Sequence, residues 1–103
     1  MIKHIVFFNF KEEACGQSKA ANMALAKEQL EGLLGNVPSL RSMTAGINAV
    51  GGPTFWDFAL IAEFDDMEGL EAYKVHPEHK KVAAFIAEAR YERAAVDYEN
   101  ITF

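Results

Sequence analysis

Between residues 73 and 79 the chain reads Tyr73-Lys74-Val75-His76-Pro77-Glu78-His79, one phenol and two imidazoles around a single proline. Imidazole changes charge near neutral pH, and a phenol donates a hydrogen bond while staying neutral, so this set suits proton transfer in an apolar site. Proline is at home in the first turn of a helix, which makes Pro77 a predicted helix start, His76 its N-cap and His79 part of its first turn. Unpaired amides there disfavour added positive charge and favour a neutral, proton-accepting His79, whereas Glu78 acts in the opposite sense if it turns inward. The spacing leaves the sign of the net effect open. Tyr73 ends the preceding segment, where a phenol can polarise a carbonyl.

A third candidate is His4, on the same strand face as Val6 and Phe8. His4, Tyr73 and His79 are therefore expected to converge in an apolar cavity, with His79 as base, Tyr73 as its partner and His4 auxiliary. Val6, Phe8, Phe58, Leu60, Val82 and Phe85 are the expected walls. The competing structural reading has Tyr73 and His79 bonded to each other or to nearby backbone, simply fixing the kink. His76 is explained by capping alone. No metal is expected: His4, His76 and His79 lack a carboxylate to complete a tetrahedral set. Cys15 sits in a loop without an evident base, Trp56 reads as core edge or interface, and Asp97 and Tyr98 read as structural.

The elements that must position these groups follow from periodicity. Ile2 to Phe10 alternates as a strand, with His4, Val6, Phe8 and Phe10 on one face and Ile5, Phe7 and Asn9 on the other. Met23, Ala26, Leu30, Leu33 and Leu34 recur at helical spacing, and Gly35-Asn36 with Pro38 is the expected stop. Leu40 to Val50 and Phe55 to Phe64 read as strands joined through the turn Gly51-Gly52-Pro53-Thr54. Asp65 or Asp66 caps a short helix through Tyr73; a second runs from Pro77 to Arg90, with Val82, Phe85, Ile86 and Ala89 inward; and Ala94 to Phe103 is the closing strand. Strand, helix, strand, strand, broken helix, strand is an α+β, ferredoxin-like βαββαβ order. Helices cover one face of such a sheet, yet Ile5, Phe7, Ala59 and Ile61 make the other face apolar. A second copy is the simplest cover, so a homodimer is expected.

Composition bounds the partners. The 103 residues make one domain, 1–103, and the formal charge of -5 with scattered basic residues argues against nucleic acid and anionic membrane. A lone cysteine forms no internal disulfide, and the short apolar run Ile5 to Phe8 is too brief for a signal or a membrane span. A cytoplasmic protein with a small-molecule ligand is the expectation.

On these residues the chain resembles the stress-responsive dimeric α/β-barrel (Dabb) family. The resemblance rests on Lys3-His4-Ile5-Val6, Pro38, Gly46-Ile47-Asn48, Phe64-Asp65-Asp66-Met67-Glu68, the Tyr-x-x-His-Pro-x-His run from Tyr73 to His79, and Asp97-Tyr98. It implies a ferredoxin-like protomer and a dimeric barrel. Within the family the plant polyketide cyclases, olivetolic acid cyclase among them, direct an intramolecular aldol condensation without cofactor or metal. Their catalytic tyrosine and histidine fall on Tyr73 and His79, and a first-strand pocket histidine on His4. Phe58 stands where they carry another pocket histidine, and Asn22, Met23 and Ala26 where they carry bulky aromatics. The resemblance thus implies a cofactor-free lyase, cyclase or isomerase acting next to a carbonyl, with a non-enzymatic stress-associated or ligand-binding dimer as the alternative and an oxygenase of related barrels as a weaker one.

Overall fold

The computed structural model describes residues 1–101. The first strand, β1 (Ile2–Phe10), alternates strictly: Ile2, His4, Val6, Phe8 and Phe10 are buried while the residues between them are half-exposed. That pattern is what a β-branched and aromatic strand produces when one face meets a helical layer.

A small hairpin follows, β2 (Glu13–Ala14) and β3 (Gln17–Ser18), turning through Cys15 and Gly16 at φ 53° and 72°. Two left-handed residues in succession make the tight turn that matches strand twist. The sequence alone predicts only a loop here. Helix α1 (Lys19–Glu31) starts on Ser18, whose hydroxyl accepts from the Ala21 amide. It ends at Gly32, three residues before the expected stop at Gly35. Leu33 still reaches the core from the turn that follows, but Leu34 is exposed. Asn22 is fully buried because its side chain holds the hairpin, donating to the Ala14 carbonyl at 2.9 Å and accepting from Gln17.

Strands β4 (Ser42–Ile47) and β5 (Phe58–Phe64) pair antiparallel, both shorter than expected. Phe55 and Trp56, assigned to the strand by their β propensity, lie instead in the connecting loop, which Asn48 fixes from within. Its side-chain oxygen accepts from the Val50 and Gly51 amides, and its NH2 donates to the Trp56 carbonyl at 2.7 Å. Helix α2 (Met67–Val75) is capped by Asp66, which accepts from Gly69 at 2.8 Å. Helix α3 (Pro77–Ala89) is capped by His76 and opens on Pro77. With no intervening loop the chain becomes β6 (Arg90–Glu99), which begins four residues before the expected strand; of that expectation, Thr102 and Phe103 fall outside the described residues.

The four long strands form one antiparallel sheet in the order β4-β5-β1-β6. This is a ferredoxin-like α+β fold with a broken second helix. The helices lie over the face that carries Val6, Phe8, Leu60, Ala62 and Phe64, all buried. On the opposite face Ile5 pairs with Ile61 and Val96, and Phe7 with Ala59 and Ala94. Ile61 and Val96 are exposed there, so an apolar sheet surface is left without cover. Among the described residues no helix is long and apolar enough to cross a membrane.

Candidate active site

A cavity of about 250 Å³ opens between β1, β5, β6 and the helices α1 to α3, and His4, Tyr73 and His79 line it together. Val6, Phe8, Leu60 and Val82 share its wall, with Leu30, Ala83, Ile86 and Ala87. Two expected wall residues are elsewhere. Phe58 is packed between Phe8 and Phe10 in the core, with ring centroids 6.1 and 5.5 Å away, and Phe85, half-buried against the core, borders a separate groove with Gln29 and Leu33. Phe85 lies at the edge of the inward arc of α3, about 60° round the helix from Val82, while Val82, Ile86 and Ala89 form its buried centre.

The helix break brings the phenol and the imidazole together. In an unbroken helix a residue six positions on sits about 9 Å along the axis and about a third of a turn around it. Here α2 ends at Val75 and His76 is extended, with φ -66° and ψ 134°. Its backbone N–H donates to the Tyr73 carbonyl at 3.1 Å, and its ring Nδ1 accepts from the Glu78 amide at 3.1 Å. His76 therefore closes one helix and opens the next. Its side chain does not line the cavity.

Turned by this corner, the His79 ring approaches the Tyr73 ring to 4.2 Å, and the Tyr73 ring packs on Phe64 at 5.0 Å and edge-on to His4 at 6.2 Å. Tyr73 is almost wholly buried, and burial alone pushes its phenol well above the usual tyrosine range, so it is a hydrogen-bond donor that stays protonated. His79 is half-buried. Burial lowers its pKa below that of a free imidazole, with smaller contributions from His4 and Arg93, against an opposing hydrogen bond to the Lys74 carbonyl. The net sign that the spacing left open is thus toward the neutral form.

Hydrogen bonds fix which nitrogen is free. His79 Nδ1 lies 3.2 Å from the Lys74 carbonyl oxygen, an acceptor only, so Nδ1 carries the proton and Nε2 keeps its lone pair. His4 does the same against a carboxylate: its Nδ1 is hydrogen-bonded to Asp97 Oδ1 across the β1–β6 pair, where His4 and Asp97 are register partners. A carboxylate on one imidazole nitrogen orients the ring and fixes its tautomer. Asp97, read from the sequence as structural, is thus a positioning residue for His4.

Arg90 and Arg93 also line the cavity and were not anticipated. Both lie on β6, whose first residues the sequence reading left outside the strand. Counting back from Asp97 in steps of two puts Arg93 on the same face, and Arg93 pairs with Phe8 in the register. The signal lay in that alternation.

Comparison with known proteins agrees with this fold. Residues 2–100 match the family described as the Stress responsive A/B Barrel Domain. An uncharacterized protein of Streptomyces coelicolor is 30% identical over 80 residues, which cover 78% of this chain and 80% of that protein. The crystal structure of a dimeric, ferredoxin-like protein of unknown function from Bacteroides fragilis superposes with a TM-score of 0.85 at 35% identity, covering 96% of this chain and 95% of the other. A hydroxynitrile lyase from Passiflora edulis shares the fold at 20% identity, with a TM-score of 0.72 over 99% of this chain and 95% of its own.

Proposed function

The chain belongs to the stress-responsive A/B barrel family, and from that premise we propose that it is a cytoplasmic, homodimeric and cofactor-independent enzyme acting on a small carbonyl compound. One observation carries this reading: Nδ1 of each cavity imidazole is held by the protein, leaving Nε2 of His79 and of His4 as the free nitrogens beside a buried, protonated phenol. His79 Nε2 takes a proton from the carbon next to the carbonyl, and the bond electrons move onto the carbonyl oxygen. Tyr73 donates a hydrogen bond to that enolate oxygen, and His4, oriented by Asp97, holds a second polar group of the substrate. The enolate then attacks another carbonyl of the same molecule or expels a leaving group, and the imidazolium returns its proton. Cyclase, lyase or isomerase outcomes need only these parts.

The dimer is proposed through the uncovered sheet face, with Ile5, Phe7, Ala59 and Ile61 packed against their counterparts in a second copy. The dimeric state of the Bacteroides fragilis relative and the apolar character of that face support it.

The test is a screen of diketones and keto esters with wild-type protein, repeated with His79→Ala and Tyr73→Phe. Turnover should fall by a factor of roughly 100 or more in His79→Ala. Turnover that is insensitive to both substitutions would exclude the proton-transfer pair. Saturable binding without turnover of any compound would favour the ligand-binding reading.

A further inference from the structure

The geometry points to a carboxylate on the ligand: we propose that the cavity takes an amphipathic organic acid whose carboxylate is gripped by Arg93 and Arg90 while its apolar body lies against Val6, Leu60 and Val82. The inference rests on the cavity being the ligand site, as argued above, and adds the chemical class of what enters it.

Two observations carry it. The chain has 15 acidic and 10 basic side chains, so carboxylates are in excess, yet among the described residues neither Arg90 nor Arg93 forms a salt bridge or a side-chain hydrogen bond. The carboxylate nearest the cavity along β6, Asp97, is engaged by His4 and stands four residues from Arg93, about 13 Å along an extended strand. Two arginines thus line the same cavity with no side-chain partner among the described residues. Guanidinium is a planar fork matched to the two oxygens of a carboxylate, and such paired, charge-assisted bonds are the strong ones.

The placement also orders the ligand. Arg93 is exposed and Arg90 half-buried, whereas Tyr73 and His4 lie in the buried depth. Positive charge therefore marks the open side of the cavity and apolar wall its interior, with Tyr73 and His4 in the depth and half-buried His79 close enough to Arg93 to feel its charge. An acid entering tail-first keeps its charge near water while its body displaces solvent from the cavity.

The experiment is calorimetric titration of the full-length protein with straight-chain carboxylates from butanoate to decanoate and with the corresponding primary amides, at low and high salt. At low salt the carboxylates should bind roughly tenfold more tightly than the amides, the size of one charge-assisted hydrogen bond. The difference should shrink at high salt because Arg93 is exposed. Arg93→Gln, and separately Arg90→Gln, should each reduce the preference. His79→Ala should leave the acid-to-amide ratio unchanged even where both affinities move, which separates this inference from the catalytic reading. Equal binding of acids and amides, a preference untouched by either arginine substitution, or no carboxylate binding at any chain length would overturn it.

Discussion

His79 meets Tyr73 ring against ring, 4.2 Å between centroids, although the two belong to different helices. The corner at His76 and Pro77 makes the meeting possible, and burial then gives the partners opposite tasks. It keeps the phenol protonated and the imidazole neutral, so one donates a hydrogen bond and the other can accept a proton at Nε2.

Removing only the phenolic oxygen separates chemistry from packing. Tyr73→Phe retains the stack on Phe64 and should change stability by about 1 kcal/mol or less, while turnover falls. Tyr73→Ala instead empties a buried site and should cost about 3–5 kcal/mol. Urea denaturation beside steady-state kinetics checks both. A large stability loss in Tyr73→Phe would mean that the hydroxyl is structural.

Acidification should act on His79 in a defined window. Its folded pKa lies below the unfolded value near 6.5, so between the two the unfolded chain binds the extra proton. The stability contribution is fully present above the unfolded value and is lost as pH falls through the folded one. Urea midpoints at pH 5 and pH 7.5 should therefore differ less in His79→Gln than in the wild type. kcat/KM should rise with pH on a midpoint below 6.5 and then stay level. Wild-type and variant midpoints that shift equally would contradict the burial argument.

Asp97→Asn tests the orientation of His4. The neutral amide can accept from Nδ1–H or donate to bare Nδ1, so the ring loses its preference between tautomers. Nitrogen-15 NMR should show His4 as the Nδ1-protonated tautomer in the wild type and as a mixture in the variant. Turnover should fall roughly tenfold or more. An unchanged tautomer in Asp97→Asn would remove Asp97 from the site.

Charge on the open sheet face tests the assembly. Ile61 lies mid-strand on β5, paired with Ile5, and Ile61→Lys places an ammonium where a second copy is proposed to pack. Analytical ultracentrifugation should show the wild type as a dimer and the variant as a monomer at micromolar concentration. A variant that remains dimeric would move the interface elsewhere.

Much of this architecture is written in the sequence because its signals are local. Alternation along β1 and β5, the Asp66 cap and the proline at 77 each mark an element within a few residues. The β2–β3 hairpin has strands too short to show any period, and its anchor, Asn22, reads as an ordinary polar helix residue until the hairpin folds against it. Phe55 and Trp56 carry strand propensity into a loop whose shape is set by the Asn48 side chain. At the site, Tyr73, His79 and His4 were legible from residue type and spacing. Asp97 and Arg93 were not, because their meaning depends on the β1–β6 register, which pairs residues some 90 positions apart.

Because α3 passes directly into β6, nearly all of the site's chemistry is carried on one uninterrupted stretch of chain. Tyr73, His79, Arg90, Arg93 and Asp97 lie within residues 73–97, and only His4 is supplied from β1. The segment is a cassette: exchanging it between members of the fold would transfer base, donor, anion grip and orienting carboxylate together, leaving β1, α1, β4 and β5 as a chassis. Divergence of specificity on this scaffold then needs one crossover in a short span of gene rather than coordinated change across the whole protein.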